Sequence, residues 1–334
     1  MTSSPRPPRR RERLLAVGAV VALTSLLAGC GLRLETPPPA PPTPDANETA
    51  RERAGADALG LEVLAAAPGG NPADPATSIR ATVVALSGEH RDQLGSGDRS
   101  HPATPAPTTG PSGVPTTAAT AKPAGTTPDV VARLVQTASN ARTDAATVPA
   151  GPLARLLGSV SAARLLLARE LAAAVGESPA PELAAVTVPE SVPAGLAPSA
   201  LSALVADEDE AGYGFEVIAA KLSDGARSRA LDRAAVHRIR AEQWARLAKV
   251  AQTRLDPRRA AYALPAGLDD PAVATALAQS LEQSLATSYA SLVAGAEPKS
   301  RLTLLDALTE ATAAAVAWGA PVPAFPGLPE RATG

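Results

Sequence analysis

Residues 269–294 read DDPAVATALAQSLEQSLATSYASLVA. Asp269 and Asp270 stand where a helix dipole favours negative charge, and Pro271 falls in the first turn, where a missing N–H costs nothing. Alanine and leucine follow, both strong helix formers, with no β-branched or aromatic run. The stretch predicts a helix over about 270–294. Only 2% of the 334 residues are aromatic, so a core must be built of Ala, Leu and Val. Such a core favours closely packed helices over a sheet sandwich, and the fold class read here is all-α.

The same signals recur on either side. Three more helices are predicted at about 199–222, 227–253 and 298–318. Pro198-Ser199 starts the first, Leu255-Asp256-Pro257 ends the second, and Gly319 with Pro321 closes the third. These four helices define a C-terminal domain at 199–320, followed by a tail at 321–334. The run ESPAPELAAVTVPESVPAGLAP at 177–198 reads as a Pro-rich linker.

Before that linker, helices fit at 47–67 (Asn47 as N-cap), 74–94, 129–145 and 152–175. Neither hairpin buries its apolar face alone, so the four are expected to pair into an N-terminal helical bundle over 47–176. The bundle is interrupted at 101–128, a Pro/Thr/Ala-rich segment of low complexity that is read as disordered. The proline linker permits the two bundles either to dock or to stand apart. Glu89-His90 is expected to face water, as isolated polar residues on bundle helices usually do.

The N-terminus gives an address. Arg9-Arg10-Arg11 precedes an apolar run, Leu14 to Gly29, that is shorter than the roughly 20 residues needed to span a bilayer. Leu27-Ala28-Gly29-Cys30 closes it with small residues ahead of the chain's one cysteine. Residues 1–29 therefore read as a lipoprotein signal peptide and Cys30 as the lipidation site. Two acyl chains there would anchor the protein to the extracytoplasmic face of the cell membrane. An ordinary cleaved signal or an uncleaved anchor is the alternative. Residues 30–46 contain ETPPPAPPTPD, a polyproline tether of roughly 45 Å.

Charge and motifs exclude several functions. Net charge is −2, and removing the five arginines and one glutamate of residues 1–29 leaves −6, which argues against a nucleic-acid partner. With Cys30 lipidated no thiol remains for catalysis or disulfides. There is no phosphate loop, dinucleotide fingerprint or G-x-S-x-G elbow. Four lysines stand against 27 arginines in an alanine-rich chain, a composition that suggests a GC-rich genome.

Glu208 in ADEDEAGYGF, His237-Arg238 followed by Arg240 and Trp244, Tyr262-Ala263-Leu264-Pro265, Glu282 in LEQSLATSY, and Ala317-Trp318-Gly319 occur in that order. In this the segment 199–320 resembles the ferritin-like domain of unknown function of actinobacterial exported proteins and lipoproteins. The resemblance implies a four-helix bundle of ferritin-like topology and carries no established activity. Where family members often show histidine after the first-helix glutamate, this chain has Asp209.

Ferritin-like di-metal centres take a Glu from each of two helices and Glu-x-x-His from each of the other two. Ala234 stands three before His237, and Asp306 and Glu310 on the last helix have no histidine beside them. A single-metal site of Glu208, His237 and Glu282 holding iron, manganese or zinc is one reading. The other pairs these groups with Arg233, Arg238 and Arg240. Tyr213, Phe215, Trp244, Tyr262, Tyr289 and Trp318 read as the bulky packing of an Ala-rich core. The leading functional expectation is a non-enzymatic envelope protein, a scaffold or a binder of a partner protein or small ligand. The runner-up is a metal-binding or oxidoreductase role for Glu208, His237 and Glu282.

Overall fold

The structure, a computed structural model, describes residues 43–66, 73–95, 125–176 and 180–331. The predicted signal peptide, Cys30, most of the 30–46 tether, nearly all of the 101–128 segment and the last three residues lie outside them. Among the described residues there are eight α-helices and no strand. They are α1 (Ala46–Ala65), α2 (Pro75–Leu94), α3 (Thr127–Thr147), α4 (Gly151–Ala174), α5 (Pro198–Lys221), α6 (Asp224–Leu247), α7 (Pro271–Gly295) and α8 (Leu302–Ala317), with a final 3₁₀ turn at Pro329–Arg331. None of these helices is long and apolar enough to cross a membrane.

Local chemistry sets the helix starts. Proline occupies the first turn of α2, α3, α4, α5 and α7. Asp74 and Asp270 cap α2 and α7 by accepting backbone N–H bonds from Thr77 at 3.0 Å and Ala272 at 2.8 Å. Thr126 and Asp129 form a reciprocal capping box, which starts α3 at Thr127, inside the segment expected to be disordered. The cap of α1 is Asp45 rather than Asn47. The Asn47 Oδ1 instead accepts the Ala150 N–H at 3.0 Å, at the foot of α4.

Two other ends differ from expectation. Helix α6 stops at Leu247, because Lys249 takes a left-handed φ of 59°. The Val250 N–H then closes on the Ala245 carbonyl at 2.9 Å. Helix α8 starts at Leu302, because Arg301 and the positive-φ Lys299 are used to join helices.

The helices pack as α1 with α2, α3 with α4, α5 with α6 and α7 with α8, and α4 lies against both α7 and α8. The described residues from Pro44 onward form one compact unit, so both sets of four helices dock. A continuous apolar cluster runs from Leu153, Leu157 and Val160 of α4 to Leu292, Leu304 and Leu308 of α7 and α8. Gly158 of α4 has no Cβ to clash with Leu305 of α8, which permits that close approach.

Arg301, buried, fastens the joint. Its guanidinium donates to the carbonyls of Ala296 at 2.8 Å, Ala145 at 3.1 Å and Val148 at 2.6 Å. It thereby satisfies groups left open at the C-terminal ends of α7 and α3. Arg142 adds a two-bond pair to Asp306, both at 2.9 Å. The segment after α8 folds back over both sets, placing Val322 in an apolar cluster of α1–α4 and Phe325 and Leu328 in the larger one.

Candidate functional site

The polar centre of the α5–α8 set is assembled one side chain at a time. On α5, Glu208 and Asp209 are both buried. Gly212 leaves space for the stem of Arg238 from α6, and Gly214 for Leu281 from α7. On α6 the positions 233, 237, 240 and 244 share one face by helical spacing, turning Arg233, His237, Arg240 and Trp244 inward. Glu282 and Tyr289, two turns apart, face them from α7, and Glu310 from α8.

His237 is the hub. Its ring stacks on Phe215, with centroids 5.6 Å apart and planes 14° from parallel. Nδ1 lies 2.7 Å from Glu208 Oε2 and Nε2 3.3 Å from Glu282 Oε1. Glu208, His237 and Glu282 are each 0% exposed. Tyr289 donates its hydroxyl to the other Glu208 oxygen.

Arg233 forks onto Glu282, Nε to Oε1 at 2.6 Å and Nη2 to Oε2 at 2.9 Å, and its Nη1 pairs with Glu310. Arg240 donates to the second Glu310 oxygen at 2.8 Å. Three carboxylates thus face two guanidiniums and an imidazole, and the cluster is neutral when the imidazole carries a proton.

The electrostatics favour that state. Burial alone pulls the His237 pKa down, but the Glu282 and Glu208 carboxylates outweigh it and hold the pKa above the usual 6.5. Each ring N–H then has a carboxylate acceptor. The 3.1 Å approach of Arg233 Nη2 to Nε2 is a contact between two donors that share Glu282. Burial pushes Glu310 up, and Arg233 with Arg240 more than reverses this. Burial, then the Glu208 charge, drives Tyr289 well above its ordinary 10.

The sequence brought Glu208, His237 and Glu282 forward, and the structure joins them through the imidazole. Of the three arginines the sequence offered as partners, Arg233 and Arg240 enter the cluster, whereas Arg238 pairs with Asp209 and Glu216; Tyr289 and Glu310 are further direct partners. A metal ion does not fit this arrangement. Glu208 faces Nδ1, and the Arg233 guanidinium stands between Nε2, Glu282 and Glu310. Asp306, the other acid on that face of α8, is held by Arg142. Among the described residues no group of three or more His, Cys, Asp or Glu side chains is placed to hold a metal ion.

Asp209 anchors the long connection between α6 and α7. It pairs with Arg238 and accepts from the Tyr262 hydroxyl at 2.8 Å and the Arg259 N–H at 3.2 Å. This gives the Tyr262-Ala263-Leu264-Pro265 motif a structural role. Burial and the Asp209 hydrogen bond raise the Tyr262 pKa to about 12.

A second feature lies under the C-terminal segment. A cavity of about 440 Å³ is walled by Leu86 of α2, Ala286 of α7, Ala315 of α8, and Phe325 and Leu328. Glu89, Gln283 and Arg331 also border it. His90 sits behind this wall and is only 1% exposed, which corrects the expectation that Glu89-His90 faces water. Its Nε2 donates to the Ala324 carbonyl at 2.7 Å, and its ring meets Phe325 edge-on at 5.3 Å. Residues more than 230 positions away bury it, and no local pattern signals that.

No curated protein and no solved structure gives a significant match to the chain. Residues 200–330, which span α5 to α8 and the returning C-terminal segment, match the domain of unknown function DUF4439.

Proposed function

We propose that the protein is a lipid-anchored, non-enzymatic binding protein of the extracytoplasmic face of the membrane. Its ligand is an apolar or amphipathic small molecule held under the C-terminal segment. The observation that carries this reading is the cavity of about 440 Å³, within the range of roughly 300–1,000 Å³ usual for ligand sites and lined mainly by apolar side chains. Pro321, Pro323, Pro326 and Pro329 are among its walls, and Arg331 offers a cation to a polar head group. The anchor rests on Leu27-Ala28-Gly29-Cys30.

The non-enzymatic part rests on the polar centre, whose acids and histidine are mutually paired and buried away from substrate. We assign α5–α8 to the ferritin-like topology of actinobacterial exported proteins. Two hairpins, α5/α6 and α7/α8, and one long connection over 248–270 support this. A metal or oxidoreductase role for Glu208, His237 and Glu282 is not adopted, because Arg233 fills the space such an ion requires.

The test is extraction and mass spectrometry of the protein purified from its own membranes, with titration of a fluorescent fatty acid into the delipidated chain. Saturable binding lost in Thr287→Trp, which fills the cavity from α7, supports the proposal. Absence of both co-extracted ligand and saturable binding defeats it. Cys30→Ser is expected to release the chain from the membrane, and retention of that variant would defeat the anchor alone.

A further inference from the structure

The side chains that wall the cavity under the C-terminal segment include one acid and one base, Glu89 from α2 and Arg331 from the final 3₁₀ turn. Charges close by are already neutralised, Glu330 by Arg155 at 2.8 Å and Glu62 by Arg91 at 2.8 Å. The two on the wall are left open. Among the described residues the Glu89 carboxylate has no hydrogen-bond or ion-pair partner, and Arg331 has no acid. The Arg331 guanidinium is nevertheless held in place. It donates to the side-chain oxygen of Gln93 and lies over the Phe325 ring, 6.0 Å from the centroid. Gln93 is four residues beyond Glu89 on α2, the neighbouring position on the same helix face. A fixed cation and a carboxylate, each half-buried, therefore flank the cavity about one helical turn apart without closing on each other.

We propose that the cavity takes a zwitterionic amphiphile, with an alkyl chain among Leu86, Phe325 and Leu328 and a head group carrying phosphate and ammonium. The phosphate pairs with Arg331 and the ammonium with Glu89. The inference rests on the reading of this cavity as a ligand site and supplies the ligand's head group.

Charge selects this class over its relatives. An anionic head, whether fatty acid or alkyl phosphate, gains Arg331 but brings a like charge beside Glu89. A cationic head gains Glu89 and is repelled by Arg331. An uncharged head strips water from both groups and leaves both unpaired. A head group of both signs satisfies each of them. The planar guanidinium suits two phosphate oxygens at once. Because Gln93 and Phe325 already hold it, little ordering of that side chain remains to oppose binding.

Four amphiphiles sharing a dodecyl tail would be titrated by calorimetry into the full chain, each below its micelle concentration. They are dodecylphosphocholine, dodecyl methyl phosphate, dodecyltrimethylammonium and dodecyl maltoside. Dodecylphosphocholine is expected to bind about fivefold more tightly than each of the others. Glu89→Gln is expected to erase its advantage over dodecyl methyl phosphate, and Arg331→Gln its advantage over dodecyltrimethylammonium. That crossed pattern supports the proposal. An equal ranking, or one led by any other head group, the fluorescent fatty acid included, overturns it and leaves the cavity a ligand site. A preference for dodecylphosphocholine that survives both substitutions overturns it in the same way. Absence of saturable binding by all four and by the fatty acid overturns both readings. Should either variant fail to fold, the ranking in the parent chain decides.

Discussion

Lowering the pH from 7 to 5 is expected to destabilise the protein through His90, and the size of the loss follows from its surroundings. Burial first, and then the positive charge of Arg164, push its pKa down to about 3, against the opposing pull of the Ala324 carbonyl. In the unfolded chain the imidazole returns to about 6.5. A histidine depressed in the folded state binds fewer protons there than when unfolded. Stability is therefore lost as pH falls from 6.5 toward 3, and none of this effect is present above 6.5. At about 1.4 kcal/mol per pH unit, His90 costs about 2 kcal/mol at pH 5 relative to neutral pH.

His90→Gln isolates this term, because an amide N–H can still reach the Ala324 carbonyl but cannot take up a proton. Urea unfolding of both chains at pH 7 and pH 5 gives the required comparison, and carboxylate titrations common to both chains cancel in the difference. The stability difference between parent and variant is expected to shift by about 2 kcal/mol in the variant's favour at pH 5, with unchanged m-values. Parallel pH dependences would refute the burial of a neutral His90 beneath the C-terminal segment.

Three further outcomes follow from particular contacts. Arg301→Met leaves three helix-end carbonyls without their donor and should cost about 3 kcal/mol, seen as a Tm lower by roughly 6–12 °C. Tyr289→Phe removes one donor from buried Glu208 with little change in shape, and urea unfolding should read a loss of about 1.5–3 kcal/mol. Asp209→Ala frees the connection between α6 and α7. Trypsin should then cut faster at Arg258 and Arg259, and spectrophotometric titration should show the Tyr262 phenol falling from about 12 toward 10.

The helical framework was legible because it is written locally. Proline in the first turn, Asp or Thr caps and runs of Ala and Leu are short-range signals, and eight helices stand near their expected places. What escaped was set by distant residues. Helix α8 starts later than expected, at Leu302, because the Arg301 guanidinium serves carbonyls at the ends of α3 and α7. Asn47 lost the cap of α1 to Asp45 because its amide reaches Ala150. His90 is buried by the segment around Ala324 and Phe325, whose prolines read only as a tail. At the polar centre, residue types named Glu208, His237 and Glu282. The position of Arg233 among His237, Glu282 and Glu310 depends on the crossing of three helices, which spacing along one helix does not encode.

The central claim is that the buried centre of α5–α8 is a closed ion-pair cluster built around a charged histidine. Nitrogen NMR of the His237 side chain in the full-length protein at pH 7, with and without chelator, tests it most directly. The account predicts an imidazolium with both nitrogens protonated and a spectrum indifferent to chelator. A neutral ring, or a nitrogen signal that moves when metal is withdrawn, would contradict it.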